Sequence, residues 1–273
     1  MATQSNLEKY YKKFHEEHRL TTRHGRVEFT TTLSLISECI EKIKTEKKVE
    51  NQNIKIADIG AGTGRYSVEL CHMGCDVTAV ELVKHNLEIL RSKHENIKTW
   101  QGNAMDLHFL PDETFDITLV FGPMYHLHGD ENKVTALKEA RRVTKKDGFI
   151  LVAYVMNEYS VISYCFREHK IGEVLEKGGL SSDFHVLSTE EDLYDYVRLE
   201  DINRLNQKAG FTRVDIASAD GPSDYMRREL NEMSEEEFQT FIKFHLATCR
   251  RPELLGAGSH IVDVVKKTYF FFR

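Results

Sequence analysis

The chain has 273 residues, 41% hydrophobic and 29% charged, with a formal net charge of −6. That length and balance suit one large α/β domain carrying insertions rather than two domains. The acidic balance does not advertise a nucleic-acid footprint, which is usually basic, although it is compatible with a local patch. Five cysteines (Cys39, Cys71, Cys75, Cys165 and Cys249) are odd in number and scattered, without zinc-ligand spacing, so reduced thiols in a cytoplasmic protein are expected. Residues 1–6 are polar, and the longest apolar run, residues 149–156, is too short to span a bilayer.

Leu7, Tyr10, Tyr11 and Phe14 recur at i, i+3, i+4, i+7, the face of a short helix. A charged turn over residues 19–26 leads to a second amphipathic helix marked by Phe29, Leu33, Ile36, Ile40 and Ile43. Then Ile54, Ile56 and Ile59 give a buried strand its β-branched bulk. Gly60, Gly62 and Gly64 follow at alternate positions, and a helix runs over residues 65–73 to Gly74. A strand passing through a glycine turn into a helix is a nucleotide cradle: the glycines permit close backbone approach, and the helix start offers unpaired N–H groups. The spacing is G-x-G-x-G, not the G-x-G-x-x-G of dinucleotide folds. Asp58 would also repel a pyrophosphate and suits an ammonium group. A nicotinamide-dependent oxidoreductase is therefore disfavoured.

Strands are expected over residues 75–81, 97–101 and 115–121, with a helix over 82–94 between the first two. Gly122-Pro123-Met124-Tyr125-His126-Leu127-His128 then stands where open α/β sheets place their chemistry. A helix ends at Val143, residues 145–148 turn, and 149–156 form a fifth strand. Residues 157–199 read as an insertion rich in aromatics, among them Tyr159, Tyr194 and Tyr196; Ser188 and Glu191 have capping-box spacing for a helix start. The core resumes with a helix from about Glu200 to Gly210 and a sixth strand over 211–217. A second insertion, 219–259, holds a capping box at Ser234 and Glu237 before a helix with Phe238, Phe241, Ile242 and Leu246. Residues 261–265 make the last strand, and the 269–272 tail extends it or packs on the sheet.

Asp58 with Gly60, Gly62 and Gly64 reads D-x-G-x-G-x-G. Glu81 ends the second strand, Gly102-Asn103-Ala104 follows the third, and residues 139–149 lead into the fifth. In this order the motifs resemble the class I S-adenosylmethionine-dependent methyltransferases over about residues 54–155. The resemblance implies a doubly wound, Rossmann-like, mostly parallel seven-stranded sheet with an antiparallel last strand. It implies a single domain with a helical lid (1–52), a cofactor-binding core (53–156) and two insertions that cap the substrate or fill cores of their own. The implied cofactor is S-adenosyl-L-methionine, leaving as S-adenosyl-L-homocysteine. Its contacts would come from Asp58, Gly60, Ala61, Gly62, Gly64, Glu81, Leu82, Asn103, Ala104 and Phe121. Glu81 would accept both ribose hydroxyls, or else charge the next helix start. Asn103, where the family often has Asp, would accept the adenine amino group, with Asp106 in support; or both shape the loop. Tyr11 and Arg26 would reach cofactor or substrate from the lid, or else pack and face solvent.

Gly122-Pro123-Met124-Tyr125 keeps the proline and aromatic of the base-amino methyltransferases but lacks their polar first residue, and the paired glutamates of arginine methyltransferases are absent. The expectation is methyl transfer to the oxygen, nitrogen or sulfur of a small molecule, with no nucleic-acid or membrane partner, by a monomer or homodimer. RNA- or protein-directed transfer and non-catalytic cofactor binding are the alternatives. Tyr125 and His126 are the catalytic candidates, His126 as a base with an ordinary histidine pKa, and His128 is a lesser one. No metal is expected, since no carboxylate–histidine cluster has ligand spacing along the chain.

Overall fold

The computed structural model describes residues 7, 8, 10 and 16–268. Tyr11 and the 269–272 tail lie outside the described residues. The first long helix, α1 (Arg23–Lys47), absorbs much of the expected charged turn. Thr22 causes this: its hydroxyl oxygen accepts the Gly25 N–H at 3.2 Å and caps the helix one turn early.

From there the chain alternates strand and helix. β1 (Lys55–Ile59), α2 (Arg65–His72), β2 (Asp76–Glu81), α3 (Lys84–Ser92), β3 (Lys98–Gln101) and β4 (Phe115–Val120) come first. α4 (Gly129–Val143), β5 (Thr144–Val155), α5 (Leu199–Ala209), β6 (Phe211–Ser218), α6 (Glu235–Thr248) and β7 (His260–Lys267) complete the core. One seven-stranded sheet has the order β3-β2-β1-β4-β5-β7-β6. The pairs from β3 through β5 are parallel, while β7 runs antiparallel to both β5 and β6.

The central strands are buried on both faces, which explains their unbroken apolar runs. Strand alternation divides them between two layers. On one face Ile36, Ile40 and Ile43 of α1 join Ile56, Leu119 and Leu151. On the other, Leu137 of α4 with Ile202 and Leu205 of α5 covers Ala57, Val120 and Val152. Strand order reverses between β1 and β4, so their carboxyl ends flank a crevice.

Three local expectations change. The 145–148 stretch belongs to β5, where Lys145 pairs with buried Asp116 at 2.8 Å and the Thr118 and Thr144 hydroxyls meet at 2.7 Å. No helix follows Ser188: Thr189 hydrogen-bonds the Asp192 carboxylate through its N–H and its hydroxyl, which closes a turn instead. α3 begins at Lys84, because Glu81 takes the Val83 N–H at 2.7 Å and holds that residue extended. Each insertion has a small core. Val161, Cys165 and Leu180 form one, and Leu230, Phe238 and Ile242 gather with Val27 of α1 in the other.

Ile36 is fully buried between α1 and the sheet. Ile36→Ala should cost about 2–5 kcal/mol, through lost transfer energy and the cavity left behind. Urea unfolding of the two proteins measures it.

Candidate active site

A cavity of about 890 Å³ opens at the carboxyl ends of β1 and β4. Its floor is the glycine loop. Gly60, Gly62 and Gly64 all have positive φ. A Cβ on Gly60 would lie 2.4 Å from the Pro123 ring and 2.7 Å from the Phe121 carbonyl, so no side chain fits there. The Val80 carbonyl accepts the Gly60 and Ala61 N–H groups at 2.8 and 3.1 Å.

Glu81 locks the loop to β2. One carboxylate oxygen accepts the Gly62 N–H at 2.7 Å and the other accepts the Val83 N–H. A carboxylate has two oxygens and can take a cis-diol bidentately. Asp58 lines the cavity from the β1 end. One of its oxygens accepts the Ser67 hydroxyl at 2.6 Å, while the other is buried without a hydrogen-bond partner. Burial pushes its carboxyl up to about 6. An orphaned carboxylate oxygen at the wall is a socket for an ammonium group.

Leu82, Asn103, Ala104 and Phe121 also line the cavity. The Asn103 side-chain oxygen accepts the Met105 N–H at 3.0 Å, so loop shaping is among its tasks. Asp106 is exposed, pairs with His108 at 2.9 Å and is not part of the wall. Arg26 is also outside it. Its guanidinium pairs with Glu235 at 2.9 Å and lies 4.7 Å above the Phe238 ring, clamping α1 to α6.

Tyr125 and His126, on the short helical turn Pro123–His126, both reach the cavity. The His126 ring stacks on Tyr194 with centroids 5.4 Å apart, and its Nδ1–H donates to the Leu193 carbonyl at 2.8 Å. Burial lowers its pKa to about 4. A base with an ordinary histidine pKa is therefore not what this ring offers. His128 is buried away from the cavity, and neither ring nitrogen has a hydrogen-bond partner among the described residues.

The opposite wall escaped the sequence reading. Arg19 and Glu28 (nine residues apart), Asp220 and His260 come from three distant stretches of the chain. Asp220 holds His260 twice, accepting its Nδ1–H at 2.9 Å and its backbone N–H at 3.1 Å. Glu28 lies 3.7 Å from the same Nδ1 and pairs with Arg19 at 2.6 Å. Gly25 brings Arg19 there, since a Cβ at that position would lie 2.1 Å from the Arg19 carbonyl oxygen. Glu28, Asp220 and His260 bring their ligand atoms within 4.8 Å of one another, a clustering that sequence spacing did not suggest. Arg19 already supplies a positive charge to it.

Residues 57–152, the stretch from β1 to β5 that builds the floor, match the family model described as a methyltransferase domain. The chain is a class I S-adenosylmethionine-dependent methyltransferase. Over 181 residues this methyltransferase is 26% identical to a demethylmenaquinone methyltransferase of Staphylococcus aureus, covering 61% of this chain and 71% of that one. Two solved structures share its fold. A methyltransferase of Methanosarcina mazei superposes with a TM-score of 0.53 at 14% identity, covering 83% of this chain and 97% of the other. One of Mesorhizobium loti gives 0.51 at 15%, covering 80% and 93%. Its cofactor is S-adenosylmethionine, and the donor set fits that molecule. Asp58 offers a carboxylate oxygen that is unpaired among the described residues for the ammonium, Glu81 presents its carboxylate to the cavity for a diol, and the side-chain-free loop lets the backbone approach.

Glu81→Ala should weaken S-adenosylhomocysteine binding about ten- to a hundredfold, the loss of hydrogen bonds to a charged acceptor. Titration calorimetry measures it, with circular dichroism to verify folding. A second expectation concerns pH. Only ionised Asp58 attracts an ammonium, and its pKa is raised to about 6. Affinity should therefore rise with pH through that value and level off above it. At pH 5 it should be about tenfold weaker than on the plateau, and Asp58→Asn should flatten the profile.

Proposed function

We propose that this methyltransferase acts on a small, partly apolar acceptor enclosed beyond the glycine loop. The carrying observation is the continuity of the cavity. It runs from Gly60 and Glu81 to Tyr159, Tyr194 and Tyr196 of the first insertion and Ser223 of the second. Its volume, about 890 Å³, is at the upper end of small-ligand sites. The Staphylococcus aureus relative is named for a small-molecule acceptor, demethylmenaquinone, which supports the same reading. Residues 157–199 and 219–259, with the N-terminal segment, act as the cap, and 53–156 as the cofactor-binding core.

S-adenosylmethionine supplies an activated sulfonium methyl, so the chain's own task is to place the acceptor in line and keep water out. Tyr125 stays a neutral phenol, because burial holds its pKa well above the ordinary value. His126 stays neutral as well and ties the β4 end to the first insertion through Leu193. Its role is to hold the roof over the acceptor.

The direct test incubates the purified protein with methyl-labelled S-adenosylmethionine and separate pools of small metabolites, RNA and protein. Label should enter the small-molecule pool; label in RNA or protein alone would overturn the proposal. His126→Phe keeps the stack on Tyr194 and loses the Leu193 hydrogen bond. It should lower kcat/KM about two- to tenfold. The pH profile between 6 and 9 should not move, since the ring titrates near 4. A flattened profile in the variant would restore His126 as a base.

A further inference from the structure

We propose that His260 is the general base of the methyl transfer, positioned by Asp220 and Glu28, and that the acceptor carries a phenol-type hydroxyl. The proposal rests on the small-molecule reading above and adds the atom that attacks.

The geometry begins with the tautomer. The Asp220 carboxylate can only accept, so the Nδ1 of His260 carries the proton at 2.9 Å. Nε2 is then the basic nitrogen. It has no hydrogen bond to any described residue, and the His260 side chain lines the cavity. The second bond from Asp220, to the His260 backbone N–H, fixes the ring's origin as well as its rotation. Gly258 keeps that contact open, because a Cβ there would lie 2.8 Å from an Asp220 oxygen. Tyr125, at the Gly122–Pro123 turn, stands 5.5 Å from the His260 ring, which places the imidazole beside the end of β4 where the cofactor floor stops.

Charge supports the same role. The groups facing the ring are Arg19 before α1, Glu28 on α1, Tyr125 beyond β4 and Asp220 beyond β6, and His24 on α1 feels the same two carboxylates. Asp224 pairs with Arg227 next to them. With His260 and His24 neutral, Arg19, Glu28 and Asp220 leave one negative charge, so the cluster has room for one proton. Burial alone would lower the His260 pKa, but Glu28 and Asp220 outweigh it against Arg19, and the net direction is upward. A proton arriving on Nε2 is therefore stabilised where it lands.

The class of acceptor follows from proton affinity. A thiol ionises readily without help, and an aliphatic hydroxyl lies much further above an imidazolium in proton affinity than a phenol does, so it is the poorer match. A phenol is matched to it. The walls around the cluster, with Tyr66, Phe121, Tyr159 and Val262, suit an aromatic ring. In the step, the oxygen–carbon bond forms while the sulfur–carbon bond breaks and leaves its electron pair on sulfur. The hydroxyl proton passes to Nε2 and then to solvent.

The test uses the full chain with S-adenosylhomocysteine bound and para-nitrophenol as the probe, whose phenolate absorbs visible light. The bound probe should ionise at a pH where the free probe does not. In His260→Gln and His260→Asn it should bind without the visible band. Histidine NMR should find His260 titrating above the ordinary 6.5, and lower in Asp220→Asn than in the parent. With methyl-labelled donor and a phenol panel, the parent rate should rise with pH through that midpoint. His260→Gln should lower kcat about 10²–10⁴-fold at unchanged cofactor affinity, and Asp220→Asn should move the profile to lower pH. Four results would overturn the proposal: near-parent kcat in His260→Gln, loss of cofactor binding in both His260 variants, methylation of amines in place of phenols, or activity abolished by a chelator and restored by a metal. If the parent itself fails to bind S-adenosylhomocysteine, or labels only RNA or protein, the small-molecule reading falls instead.

Discussion

Between the ends of β1 and β4 two backbones approach so closely that Gly60 has no room for a Cβ against Phe121 and Pro123. That approach joins the cofactor floor to the turn carrying Tyr125 and His126. It also forces the loop to find its hydrogen bonds elsewhere, and it finds them on β2, at the Val80 carbonyl and the Glu81 carboxylate. One steric constraint thus sets the strand spacing, the loop conformation and the position of the acid at the end of β2.

The two carboxylates beside that loop are treated in opposite ways. Glu81 is satisfied twice by backbone N–H groups, whereas Asp58 is buried with one oxygen unmatched. An unmatched buried oxygen costs the free protein about 1–3 kcal/mol, and a ligand that pairs with it recovers that cost. The site stores its preference for a cationic group as a local defect in the empty fold.

Legibility in the sequence followed locality. Asp58, Gly60, Gly62, Glu81 and Asn103 lie within strand-to-loop junctions whose meaning is set by near neighbours, and the structure brings them to one cavity, while Gly64 packs behind it against Leu90. The seven-stranded order rests on the same local alternation of strand and helix. What stayed hidden was long-range. Arg19, Glu28, Asp220 and His260 meet only because α1 packs beside the ends of β6 and β7. In the sequence Asp220 merely follows a strand and His260 merely precedes one. For Arg26 the geometry agrees with the second of its two readings, a packing and solvent-facing arginine: its helix was legible, but the partner on α6 that claims its guanidinium was not. Thr22 was a readable cap, and overlooking it left the first turn of α1 as loop.

β7 is the strand that runs against its neighbours. In a parallel sheet the residue delivered to the ligand rim is the last of each strand; reversal makes it the first. The chain leaving the second insertion therefore enters the rim directly at His260, before any of β7 has been laid down. The wall opposite the glycine loop is thereby assembled from both ends of the polypeptide, Arg19 and Glu28 before β1 and Asp220 and His260 after β6, while the glycine-loop floor is complete by β5. Sequence change at either end can therefore reshape that wall while the glycine loop and Glu81 stay as they are.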